Sequence, residues 1–174
     1  MTVPAKLRSA KLMLLGDIGV GKTSLARRLV FDRFDGAYKT TIGVDVQTYD
    51  ITLSAEFARS AMRLVLWDTD GDFGEAIFSS MYVTGAAGAM VVADATRPAS
   101  FVRMERLVRV FRERFPGRPM KAVINKMDLV DPLAGLPPVG DLQGADITYA
   151  SALTGQGVAD AFRTMAETIW RRTP

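Results

Sequence analysis

The eight residues Gly16–Thr23, G-D-I-G-V-G-K-T, constrain this chain more than any other stretch. They follow a short apolar run, Lys11–Leu15 (K-L-M-L-L), and open Thr23–Phe31, where Leu25 and Leu29 stand at helical spacing. Glycines let a backbone curl so that successive N–H groups face one point, and a helix start adds positive potential there. In this frame the amides of Gly19, Val20, Gly21 and Lys22 cradle phosphate oxygens. Lys22 bridges the outer phosphates as a point charge, and the Thr23 hydroxyl is an oxygen ligand for Mg2+. A glycine-rich turn with a chance Lys-Thr would have no reason to lie between a strand and a helix.

The rest of the chain alternates short apolar runs with helix-period stretches. Gly43–Leu53 and Met62–Trp67 read as strands separated by the short Ser54–Ala61, which predicts an antiparallel pair. Gly88–Asp94 (G-A-M-V-V-A-D) is a continuous apolar run, as expected of a central strand. Met120–Ile124 and Ile147–Ala150 are the last two strands. Ser100–Arg114 and Val158–Trp170 are helices with one apolar face each, Trp170 falling in the core, and the proline-rich Pro132–Gly140 is a loop or a single turn. The expectation is an α/β fold of the phosphate-loop NTPase class. Its sheet is six-stranded and mostly parallel, with one antiparallel edge strand and helices on both faces. No repeat or linker divides residues 1–174, so one domain is predicted.

The chain has neither cysteine nor histidine, which excludes disulfide staples, Cys or His metal sites and His-based catalysis. A cation must be held by oxygen, which suits Mg2+. A net charge of +3 is too mild to argue for nucleic acid. Neither a signal peptide nor a membrane-spanning run is visible, and without cysteine no lipid anchor is available, so a cytoplasmic protein is expected.

Two further motifs stand at strand ends. Leu64–Asp68 (L-V-L-W-D) is an apolar strand closing on a carboxylate, the form in which such folds supply an acid near Mg2+. Asn125–Asp128 (N-K-M-D) follows the strand Met120–Ile124. A carboxylate there accepts from both N1–H and the exocyclic amine of guanine, whereas adenine offers a lone pair at N1, so Asp128 selects guanine. Lys126 lays its stem over the base and Asn125 ties loops together. The backbone N–H groups of Ser151 and Ala152 are positioned for the guanine carbonyl.

With these residues in place, the chain resembles the Ras superfamily of small GTPases, and its Rab-like branch in particular. The resemblance runs from Lys11 to Trp170. It rests on G-D-I-G-V-G-K-T, Y-K-T-T-I-G-V-D (Tyr38–Asp45), W-D-T-x-G (Trp67–Gly71), N-K-M-D, and Ser151-Ala152. It implies a switch that binds GTP or GDP with Mg2+ and hydrolyses GTP. The implied nucleotide contacts come from Asp17, Ile18, Gly19, Val20, Gly21, Lys22, Thr23 and Ser24. Phe34 stands edge-on to the base and Tyr38 over the phosphates. Leu153 follows Ser151 and Ala152 at the base. The implied metal ligands are Thr23, the switch I threonine Thr41 and the outer-sphere acid Asp68. Gly71 senses the γ-phosphate, and Lys22, Thr41, Gly71 and Asp72 form the catalytic set.

Asp72 replaces the family's water-orienting glutamine, and Asp70 replaces a small alanine beside the γ-phosphate. An ionised Asp accepts but cannot donate, is shorter, and adds charge near an already negative transition state. Slow intrinsic hydrolysis is therefore expected, unless Asp72 faces solvent and another group positions the water. Asp70 either approaches Mg2+ or excludes the γ-phosphate, which would bias the protein toward GDP, or it turns outward. A nucleotide-holding protein with little turnover remains the alternative, while an ATP-using enzyme is opposed by N-K-M-D. The resemblance also implies effectors on switch I and switch II, with activating and exchange proteins. Arg103, Arg106, Arg109 and Arg112 form a stripe on one helix, read as a solvated face or as a surface for an acidic partner.

Overall fold

The computed structural model describes residues 7–37, 39–58, 60–135, 138–142 and 144–174. The strands are β1 (Leu7–Gly16), β2 (Val44–Thr52), β3 (Ala61–Thr69), β4 (Gly88–Asp94), β5 (Met120–Asn125) and β6 (Asp146–Tyr149). They form one sheet in the order β2-β3-β1-β4-β5-β6, parallel throughout except for the β2–β3 pair. Helices α1 (Lys22–Phe31), α2 (Pro98–Arg114) and α3 (Val158–Arg172) cover it. The expected architecture is the observed one.

Side-chain alternation along β1 feeds two cores. Leu12 and Leu14 join Leu25, Phe162 and Met165 in the layer under α1 and α3. Met13 and Leu15 join Met104, Leu107 and Phe111 under α2. β4 is buried along its whole length, which is why its sequence shows no alternation. β2, at the edge, is mostly solvated, with Ile51 as its buried residue.

Several boundaries and surfaces differ from expectation. β1 begins at Leu7, ahead of the apolar run, because Arg8 and Ser9 still pair with Met62 and Arg63 of β3; a ladder needs backbone, not apolar side chains. α2 begins at Pro98, whose missing N–H is harmless at the first helical turn. Pro132–Ala134 is a single 3-10 turn capped by Asp131, which accepts from the Leu133 N–H at 2.9 Å. The arginine stripe is more than a solvated face. Arg106 Nε donates to Glu75 at 2.7 Å, and the Arg103 guanidinium stands against Gly74, so α2 grips the 3-10 segment Gly71–Ser79. Trp170 is half-buried against the α1–α3 core, with the Arg8 guanidinium 4.3 Å above its ring.

Candidate functional site

The parallel strands deliver their C-terminal ends to one edge of the sheet. The register pairs Leu14 with Asp68 and Asp94 with Asn125, so β1, β3, β4 and β5 end side by side. From β1 the chain enters the glycine loop and then α1. Gly21 has φ +101, and a Cβ there would lie 2.2 Å from Asn125 Nδ2. No other residue fits that position.

Lys22 is 6% exposed, and its Nζ donates to the carbonyls of Gly16 at 3.0 Å and Asp17 at 2.9 Å. Burial pushes its ammonium down to about 8, against the pull of Asp68, Asp17 and Asp70. Beside it three oxygens converge. Thr23 Oγ1 donates to Asp68 Oδ2, which leaves Thr41 as donor in the 2.8 Å contact between the two threonine hydroxyls. Asp68 is 1% exposed, and its Oδ1 is buried without a hydrogen-bond partner among the described residues. Burial raises the Asp68 carboxyl above the usual range, opposed by Thr23 and Lys22.

The second half of the site hangs from β5. Asn125 is 1% exposed; its Nδ2 donates to Val20 O at 3.0 Å and its Oδ1 accepts from the Ala152 N–H at 3.1 Å. Lys126 Nζ donates to Gly19 O at 2.7 Å. Asp128 is exposed and accepts from Ser151 Oγ at 2.6 Å. The Ser151 N–H donates to Gln156 O at 2.9 Å. Both amides expected to face a base carbonyl have partners within the chain: the Ser151 N–H in its own turn and the Ala152 N–H on the Asn125 side chain.

Both halves open on one cavity of about 350 Å³. Lys22, Thr23, Thr41 and Gly71 line one end of it, and Asn125, Lys126, Asp128 and Leu153 the other. Ile18, Ser24 and the half-exposed Phe34 also face it. Val20 is fully buried, and Asp17 is tied to Ile18 and Arg97, so their side chains are engaged inside the protein. Tyr38 lies outside the described residues.

A model of the Ras of Complex (Roc) domain of DAPkinase matches residues 11–128. The human Ras-related protein Rab-31 is 31% identical over 168 residues, covering 94% of this chain and 84% of the relative. RABA3 of Arabidopsis thaliana is 33% identical, covering 98% and 73%, and Rab5A of Oryza sativa is 32% identical, covering 94% and 81%. The chain belongs to the Ras superfamily of small GTPases, on its Rab-like side. Membership makes it a GTP-binding switch protein of a family that works through effectors, exchange factors and activating proteins. No helix among the described residues is long and apolar enough to cross a membrane.

In this small GTPase the altered second switch is arranged as follows. Gly71 packs so closely on the glycine loop that a Cβ would lie 2.5 Å from Ile18 N. Asp70 Oδ1 accepts from the Asp72 N–H at 2.9 Å and caps the 3-10 segment, while Asp72 is exposed. Several residues of the site were not singled out from sequence. Arg28 of α1 donates to the carbonyls of Ala152 at 2.8 Å and Leu153 at 2.6 Å. Asp94 pairs with Lys126, and Arg97 with Asp17 and Ile18. Asp94 carries the signal that drew attention to Asp68, an apolar strand ending in a carboxylate. The two arginines carry no local signal.

Proposed function

We propose that this chain binds GTP and GDP with Mg2+ in the cavity at the strand ends and hydrolyses GTP slowly on its own. The observation that carries this reading is the single cavity, with a phosphate-type glycine loop at one end and the Asn125–Asp128 loop at the other. Asp128 is the guanine-selecting acceptor, held by Ser151, and Lys126 flanks the base. Thr23, Thr41 and Asp68 are the residues that would hold Mg2+. Their all-oxygen set and the orphaned Asp68 Oδ1 fit a hard cation. Bound Mg2+ supplies charge neutralisation between the outer phosphates.

Lys22, Gly71 and Thr41 then act on the γ-phosphate. Lys22 contributes a fixed charge, Gly71 an N–H, and Thr41 ties the first switch to the phosphate state. Asp72 is a poor substitute for a water-orienting amide, so turnover rests on positioning and electrostatics from the remaining groups. Effectors that bind only the ordered switches read the state, and exchange and activating proteins complete the cycle. The exposed Asp72 also favours a second reading, a switch that holds nucleotide with almost no turnover.

The test is to strip the protein, load it with GTP or ATP in Mg2+, and follow bound nucleotide by chromatography over hours. Retention of GTP but not ATP, with slow appearance of GDP, is expected. Unchanged GTP supports the second reading, and equal retention of ATP overturns the guanine assignment.

A further inference from the structure

The four residues Asp94–Arg97 (D-A-T-R) turn the chain from β4 into α2, and the charged ends of this corner reach opposite halves of the cavity. Asp94 is 2% exposed and accepts from Lys126 Nζ at 2.8 Å; that amine also donates to Gly19 O at 2.7 Å. The other Asp94 oxygen accepts from the Thr96 N–H at 2.9 Å and Thr96 Oγ1 at 2.7 Å, so the carboxylate is fixed on both sides. Lys126 itself has φ +67, a left-handed backbone that a non-glycine residue adopts only when its surroundings impose it. At the far end of the corner, Arg97 donates to Ile18 O at 2.9 Å and to Asp17 Oδ2 at 3.2 Å. The corner is rigid. Ser100 Oγ accepts from the Asp94 N–H at 2.9 Å and donates to Arg97 O at 2.7 Å, and the Ala95 N–H donates to Asn125 O at 2.9 Å.

We propose that Asp94 and Arg97 are positioning residues: the β4–α2 corner holds the Lys126 loop and the Asp17–Ile18 loop in fixed relation and so sets how long a guanine nucleotide stays bound. This rests on the reading of the cavity as a guanine-nucleotide site. A nucleotide must touch both loops at once. Loops aligned beforehand lose little freedom on binding, whereas loops that move independently release the ligand one end at a time. The corner contacts both loops through charged side chains, and Asp94, where it begins, is the end of a fully buried strand.

The experiment loads the full chain with fluorescent GDP in Mg2+, chases with excess unlabelled GDP, and records dissociation rate and melting temperature. Wild type is compared with D94N, R97A, R97K and the control K121M, which removes the ion pair between buried Lys121 and exposed Asp146 on the β5–β6 edge. D94N and R97A each speed dissociation on the order of tenfold. R97K recovers part of the loss, because one ammonium replaces one of the guanidinium contacts. K121M lowers the melting temperature while keeping the wild-type rate. The Arg97 side chain is 41% exposed, so R97A folds and carries the test even if D94N does not. Wild-type dissociation rates in D94N and R97A, or rates that only track melting temperature as in K121M, overturn the proposal. Failure of wild type to retain GDP overturns the nucleotide-site reading and this inference with it.

Discussion

The hydroxyls of Thr23 and Thr41 lie 2.8 Å apart, joining the first turn of α1 to a segment 18 residues further along the chain. With Asp68 they form one oxygen cluster, but they sit on unlike supports. Thr23 is anchored in a helix, whereas Thr41 is in an irregular segment before β2. Thr23→Ala is expected to weaken GDP and GTP binding alike in Mg2+, roughly 10- to 100-fold. Thr41→Ala is expected to spare GDP and shorten GTP residence. Dissociation rates with and without EDTA check both, and a Thr23→Ala deficit that persists undiminished in EDTA would show that its hydroxyl acts without metal.

Asp128 offers two acceptor oxygens, one of them already receiving Ser151 Oγ at 2.6 Å. Asparagine at 128 replaces one acceptor by a donor and no longer complements the N1–H and exocyclic amine of guanine. Asp128→Asn is expected to cost guanine nucleotides roughly two orders of magnitude in affinity. Xanthine, which carries a carbonyl in place of that amine, should gain relative to guanine. Competition between GDP and XDP measures this directly, and an unaltered preference for GDP would remove Asp128 from base selection.

Asp72 is exposed and its carboxylate has no hydrogen-bond partner among the described residues, while its N–H donates to Asp70. A glutamine in its place would both donate and accept while leaving the Asp70 cap intact. Single-turnover GTP hydrolysis should rise on the order of tenfold in Asp72→Gln with nucleotide affinity unchanged. An identical rate would mean that another group orients the water.

The Asp94 carboxyl lies below its usual range. Burial alone would raise it, but hydrogen bonds from Lys126 and Thr96 more than offset that. A depressed carboxyl stabilises the fold above its unfolded value, near 4, and loses that contribution as pH falls through its folded value. The melting-temperature gap between wild type and Asp94→Asn should therefore be full at pH 6 to 7 and shrink below about pH 4. Thermal scans across that range check it, and a gap that widens toward acid would contradict the sign.

The parts of the site legible in sequence were those whose chemistry is contiguous. Gly16–Thr23 and Asn125–Asp128 carry their logic in adjacent residues, and each follows a strand whose apolar run marks where it ends. Asp94 and Arg97 were not legible as a pair because their partners are 32 and 80 positions away, at Lys126 and Asp17. The Arg103–Arg112 stripe looked like a solvated helix face because nothing local reveals that Glu75 and Gly74 lie against it. That the Ser151 N–H meets Gln156 O and the Ala152 N–H meets Asn125 Oδ1 was not legible, because neither contact leaves a mark in adjacent residues.

The strand order also decides what in this molecule is permanent. Asn125, Lys126 and Asp94 stand at the ends of β4 and β5, both fully buried, whereas Thr41 precedes the half-exposed edge strand β2. In the proposed nucleotide site, tenure and message would thereby be housed apart: the interior half would keep the nucleotide and the outer half would announce which one it is. On that reading a listener would dock and leave at the rim without evicting the occupant.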